Sequence, residues 1–149
     1  MQTMHIVIFV GGTLRPGQAL EKTMATADLI IAADSGAENA LHYGYTPAII
    51  VGDFDSLQLS TQERLKSSSQ LIRAAVEKDE TDTELALQLA LDYGAKQITI
   101  LGGIGGQRFD HTMANILLLA GFTSVPIRII DGPSVNWLLK GPGSTQIVG

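Results

Sequence analysis

Blocks of apolar and polar positions alternate along this chain with two different periods. Short runs rich in Ile, Val and Ala at 5–10, 29–33, 48–51, 71–76, 97–101 and 127–130 read as strands. Between them, 19–25, 37–43, 60–67, 81–93 and 111–120 read as helices. Gly44, Gly94 and Gly121 close three of these helices, and Ser60 is the expected N-cap of another. The 81–93 segment has a polar stripe of Thr81, Glu84, Gln88 and Asp92, which leaves its other positions for the core. The 111–120 segment is apolar almost all round. Strands alternating with helices predict an α/β fold over 1–132, with a mostly parallel, doubly wound (Rossmann-like) sheet and helices on both faces. The run at 135–139 predicts a strand that begins a second unit over 133–149.

Composition supports one compact domain. Of 149 residues, 45% are hydrophobic and only 17% charged, which excludes a disordered chain. Aromatic residues are 5%, so the core is built from aliphatic side chains, as in sheets covered on both faces. No apolar run is long enough to cross a bilayer, and the first residues lack the basic start of a secretory leader. With no Cys, disulfides and thiolate metal sites are excluded, and a cytoplasmic location is the expectation. The net charge of −5 argues against a nucleic-acid surface. An acidic protein that holds a polyphosphate needs a cation or a few well-placed basic groups to offset the repulsion, which favours metal mediation.

The candidate chemistry falls where the predicted strands end, the edge at which open α/β sheets bind ligands. Gly11 and Gly12 follow the first strand, Asp34-Ser35-Gly36 the second, and Gly52-Asp53-Phe54-Asp55-Ser56 the third. If that third exit stays extended, Asp53 and Asp55 point to one face and converge on one cation. Oxygen ligands of this kind suit Mg²⁺ shared with phosphates. Further on come Lys78, Asp79, Thr81 and Asp82, then Gly102, Gly103, Gly105 and Gly106, then Arg108, Asp110 and His111. The glycine loop leads from a strand into a helix, where backbone N–H groups can hold a phosphate, but it does not match G-x-G-x-x-G because Arg108 takes the third glycine's place. Asn115, one turn after His111 on the same helix face, is a polar residue that requires a partner. His5 and His42 read as structural. Capping offers a plain alternative for several acids: Asp34 as an N-cap, Asp79 and Asp82 as N-cap and N3, Asp110 as a cap of the last helix. It does not account for Asp53 and Asp55.

The order of these motifs resembles the catalytic domain of thiamine pyrophosphokinases. The resemblance rests on Ala33-Asp34-Ser35-Gly36-Ala37-Glu38-Asn39, Gly52-Asp53-Phe54-Asp55-Ser56, Lys78-Asp79-Glu80-Thr81-Asp82 and the run from Gly102 to His111. It implies transfer of the pyrophosphoryl group of ATP to the hydroxyl of thiamine, with Mg²⁺ as cofactor and AMP as the second product. It implies Asp53, Asp55 and Asp82 as metal ligands and, with Asp79, as catalytic residues. Gly11, Gly12, Asp34, Lys78, Thr81, Gly102, Gly103, Gly105, Gly106, Arg108, Asp110 and His111 would contact nucleotide or phosphate, and Asn115 and Asp34 the acceptor. The family also implies a homodimer and a β-rich second domain, of which 133–149 would be the start. Two alternatives stay open at this point: a pyrophosphokinase for another alcohol such as a hydroxymethylpterin, and a non-catalytic Mg²⁺–nucleotide-binding module.

Overall fold

The computed structural model describes residues 4–54, 57–74, 81–104, 109–139 and 146–147. The described residues form seven strands and five helices in the order β1 (His5–Phe9), α1 (Gln18–Ala25), β2 (Leu29–Ala33), α2 (Gly36–His42), β3 (Ile49–Gly52), α3 (Leu59–Leu65), β4 (Gln70–Arg73), α4 (Asp82–Asp92), β5 (Gln97–Leu101), α5 (Phe109–Gly121), β6 (Ile127–Asp131) and β7 (Ser134–Trp137). The strands make one sheet in the order β4-β3-β2-β1-β5-β6-β7. All pairs are parallel except β6–β7, which is an antiparallel hairpin closed by Gly132 and Pro133 between the paired residues Asp131 and Ser134.

Alternation along the strands divides the core in two. Val7, Phe9, Ala32 and Ile50 face α1, α2 and α3 through Leu20, Ala37, Ala40 and Leu65. Ile6, Ile8, Ile31, Ile98, Ile100 and Ile129 face α4 and α5 through Ala86, Leu87, Ala90 and Leu119. A strand buried on both faces must be apolar at every position, which is why β1, β2 and β3 read as continuous runs.

Several boundaries differ from expectation for identifiable reasons. Ser60 is not an N-cap: α3 starts at Leu59 behind Gln58, with no side-chain cap bond. The Gln62 amide reaches back to the carbonyls of Phe54 (3.2 Å) and Leu57 (3.0 Å) and fixes the entry of the helix instead. β4 ends at Arg73, and the last two positions of the expected strand, 75 and 76, lie outside the described residues. α5 begins at Phe109, and only Leu119 is fully buried. Its apolar character therefore points largely outward, with Phe109 74% and Leu117 64% exposed.

At the end of the sheet opposite the strand exits, the His5 imidazole is buried in a polar network. Nδ1 lies 3.0 Å from Thr26 Oγ1 and 3.3 Å from the Thr26 carbonyl, and Nε2 lies 2.9 Å from Thr99 Oγ1. The Thr26 hydroxyl already donates to the Thr23 carbonyl, so the network requires His5 to donate from Nδ1 and accept at Nε2. Burial, helped by the Arg128 charge, lowers the His5 pKa from its ordinary 6.5 against the opposing pull of the Thr26 carbonyl and Asp28. The folded state thus binds this proton less well than the unfolded chain, and stability falls as pH drops below about 6.5 toward the folded value. Urea unfolding between pH 7.5 and pH 5 should show that loss, and His5→Gln should flatten its slope. A slope unchanged by the substitution would assign the loss to other groups.

α2 packs so closely on β1 that a Cβ at Gly36 would collide with the Phe9 carbonyl and the Val10 backbone. Neither can yield without moving the central strand. Gly36→Ala should therefore cost about 1–3 kcal/mol in chemical denaturation, the usual range for overpacking a tight site. A loss below a few tenths would mean that α2 shifts freely.

Candidate active site

Parallel pairing puts the carboxyl ends of β1 to β6 on one edge, and strand order reverses between β1 and β5. The connection from β1 leads toward β4 while that from β5 leads toward β7, which opens a crevice between two diverging loops. Gly11 and Gly12 follow β1 on one side of it, and Gly102 and Gly103 follow β5 on the other.

Three carboxylates meet on this edge. Asp34, Asp53 and Asp82 each offer an oxygen, and these atoms lie within 4.8 Å of one another, all partly buried. Asp34 stands at the exit of β2 with φ 49°, a left-handed conformation that Asp tolerates better than most residues. Its N–H donates to the Val51 carbonyl at 2.8 Å, tying it to β3. It is not the N-cap of α2; Ser35 holds that position and makes no side-chain cap bond. Gly52 is required here, because a Cβ would stand 3.1–3.2 Å from Cβ, Cγ and Oδ1 of Asp34. Asp82 opens α4 behind Thr81, whose hydroxyl accepts from Glu84 N–H at 3.1 Å. The helix cap is therefore Thr81 with Glu84 at N3, so Asp82 is neither cap nor N3 as the capping alternative had it.

Asp53 lies at the exit of β3, but the segment beyond it is not extended. Phe54 has φ 68° and is buried, so the chain is not extended through this position; Asp55 lies outside the described residues. Arg73, at the end of the neighbouring β4, donates from Nη1 to the Asp53 carbonyl at 3.1 Å and stacks its guanidinium 5.1 Å from the Phe54 ring centroid.

Three carboxylates so close raise each other's energy unless a cation joins them. An all-oxygen set of this kind fits a hard divalent ion such as Mg²⁺, which binds through a few carboxylates and leaves positions for phosphate oxygens or water. The N-terminus of α4 adds a partial positive charge beside Asp82. Of the other expected residues, Asp55, Lys78, Asp79, Gly105, Gly106 and Arg108 lie outside the described residues. Asp110 and His111 are exposed in the first turn of α5 and do not join the carboxylate group.

The loops that border the crevice are tied down by residues from several elements. The Asn115 amide donates to the Gly103 carbonyl at 2.9 Å, giving that polar position a partner within the chain. The Asn39 amide donates to the carbonyls of Val10 (2.8 Å) and Gly12 (3.0 Å), and the Tyr43 hydroxyl donates to the Leu14 carbonyl. Asp131, buried at the end of β6, accepts from Arg15 N–H at 3.1 Å and from its Nη2 at 2.9 Å. The Asp131 carboxylate raises the pKa of the Arg15 guanidinium through this hydrogen bond and its charge. Arg73 and Asp131 went unmarked in the sequence, and Asn39 stood there only as the last residue of a motif, with no role assigned. Nothing in the α2 sequence GAENALH sets the Asn39 amide apart from the polar residues beside it, whereas Asp131 shared its position after a strand with the acids that were singled out. Arg73 carried no signal, lying inside a predicted strand.

Known proteins resemble this chain in both sequence and fold. Residues 20–130 match the family model of the thiamin pyrophosphokinase catalytic domain. The thiamine pyrophosphokinase of Bacillus subtilis is 39% identical over 106 residues, covering 69% of this chain and 49% of that protein. The crystal structure of the Bacillus subtilis protein superposes with a TM-score of 0.71 at 36% identity, over 85% of this chain and 60% of that one. That of the thiamin pyrophosphokinase from Geobacillus thermodenitrificans gives 0.70 at 32% identity, over 86% and 60%. The chain spans about half the length of the curated relatives it matches. With most of the sheet inside the matched segment and Asp34, Asp53 and Asp82 within it, the chain belongs to the thiamin pyrophosphokinase family through its catalytic domain.

Proposed function

We propose that this chain carries the catalytic domain of an enzyme that transfers the pyrophosphoryl group of ATP to the hydroxyl of thiamine, giving thiamine pyrophosphate and AMP. The observation that carries the reading is the meeting of Asp34, Asp53 and Asp82 at the strand exits of a chain in this family. The family match favours thiamine over a pterin alcohol as acceptor, and catalysis over binding alone.

In the reaction the thiamine oxygen bonds to the β-phosphorus, the bond from that phosphorus to the α–β bridging oxygen breaks, and AMP leaves with the bridging oxygen. Mg²⁺, when bound, would neutralise charge on the phosphate oxygens as that exchange proceeds. Asp34, Asp53 and Asp82 would hold it, joined by Asp55, with Asp79 near by. The hydroxyl proton passes to a carboxylate of this set. The Gly11-Gly12 backbone, fixed by Asn39, and the Gly102-Gly103 backbone, fixed by Asn115, would lie against the nucleotide, together with Gly105 and Gly106. Lys78, Thr81 and Arg108 would contact phosphates, Asp110 and His111 the nucleoside, and Asn115 and Asp34 the acceptor. A net charge of −5 makes these few cations and the metal necessary for an anionic substrate.

The sheet fits a doubly wound, Rossmann-like reading, since the helices before and after β4 cover opposite faces. We place the start of a β-rich second domain at 133–149, with β7 as its bridge from the sheet, and a homodimer in the cytoplasm as the working form. The outward apolar residues of α5 support an assembly that covers them. No helix among the described residues is long and apolar enough to cross a membrane.

Phosphorus NMR of the protein with ATP, Mg²⁺ and thiamine should show AMP and thiamine pyrophosphate. ADP as the product would overturn pyrophosphoryl transfer. Asp53→Asn and Asp82→Asn should each lower turnover by a factor of 100 or more, on the order of 3 kcal/mol of barrier. Mg²⁺ should raise the melting temperature of the wild type and not of the variants. An equal rise in all three would move the metal elsewhere.

A further inference from the structure

We infer that Arg73 is a positioning residue for the cation site, acting through the Asp53–Phe54 turn; this rests on the reading of Asp34, Asp53 and Asp82 as that site. A bulky aromatic residue at φ 68° is a backbone outlier and persists only where its surroundings over-determine it. Local contacts do part of this. The Phe54 carbonyl accepts from Leu57 N–H and from the Gln62 amide, both at 3.2 Å, and the ring is 5% exposed.

Arg73 supplies the remainder from outside the turn. Its Nη1 holds the carbonyl of Asp53, the peptide on the N-terminal side of the Phe54 Cα, while its Cζ lies over the Phe54 ring, 5.1 Å from the centroid. Relaxing Phe54 to negative φ would rotate the Asp53–Phe54 peptide and break both contacts at once. The same rotation would carry the Asp53 carboxylate away from Asp34 and Asp82. Arg73 itself is fixed by register, since β3 pairs Gly52 with Arg73 and Ala74 N–H donates to the Gly52 carbonyl at 2.8 Å. Only a planar, multiply donating cation can stack and donate simultaneously; a lysine ammonium cannot.

Charge and positioning predict opposite signs. A guanidinium near the site repels a divalent ion, so if charge alone mattered, removing it would tighten metal binding. If Arg73 positions Asp53, losing its geometry weakens binding even when the charge stays.

Mn²⁺ titration of the whole chain, read from the free-ion electron paramagnetic resonance signal, separates them. Arg73→Lys should weaken Mn²⁺ binding about tenfold, as expected for a group that orients a ligand from behind. Arg73→Met should weaken it despite the lost positive charge. Phe54→Leu, which keeps an apolar side chain but no aromatic face, should do the same, and the Arg73→Lys/Phe54→Leu pair should be no worse than either alone. Amide exchange at Leu57 should quicken in each variant, reporting the loosened turn. Wild-type affinity in Arg73→Lys, or tighter binding in Arg73→Met, would overturn the inference while leaving the cation site intact. No Mn²⁺ binding by the wild type would overturn both.

Discussion

The pairing of β1 with β2 on one side and β5 on the other is the constraint on which the molecule depends. β1 is buried on both faces from end to end, so every residue in it is committed to packing or to a satisfied polar network. Parallel pairing then gives all the strands but β7 one polarity. Loops that follow them arrive at a single edge whatever their sequences. The site is a consequence of that polarity: three acids separated by long stretches of chain become neighbours because each follows, or opens, an element of the same stack.

Much of this was legible beforehand. β2 and β5 have the bounds expected of them, because both are short, Ile-rich segments between polar turns. α4 follows its polar stripe, with Gln88 and Asp92 hydrogen-bonded to each other along the exposed side. The edge carrying Asp34, Asp53 and Asp82 was also predictable, since it follows from strand direction alone. What escaped was set by interactions distant in sequence. Phe54 adopts its left-handed conformation under the influence of Arg73, and nothing local in Gly52-Asp53-Phe54 announces it. Thr81, and not an acid, caps α4 because the hydroxyl lies one residue before the first helical turn, a detail below the precision of periodicity. The sequence suggests Asp34 as a nucleotide or acceptor contact close by the metal ligands; its place within the carboxylate group depends on how β2 and β3 stagger.

The two ends of the sheet handle polarity in opposite ways. At one end His5, Thr26 and Thr99 satisfy one another, so the polar groups there need nothing further. At the other end three carboxylates are gathered on one edge, beside a strained turn and a close glycine contact. Local rules of consistency are kept where the fold is being secured and broken where a ligand is awaited.

The clasp between Arg15 and Asp131 joins residues 116 positions apart. The loop that follows the first strand is thus secured by the last parallel strand to enter the sheet. During folding that loop has no carboxylate to close on until β6 has docked beside β5, and contacts of such separation come late and at high entropic cost. The loop after Gly11 and Gly12 consequently gains this anchor only once β6 is in place. A nascent chain gains its binding edge only when nearly the whole sheet has been synthesised.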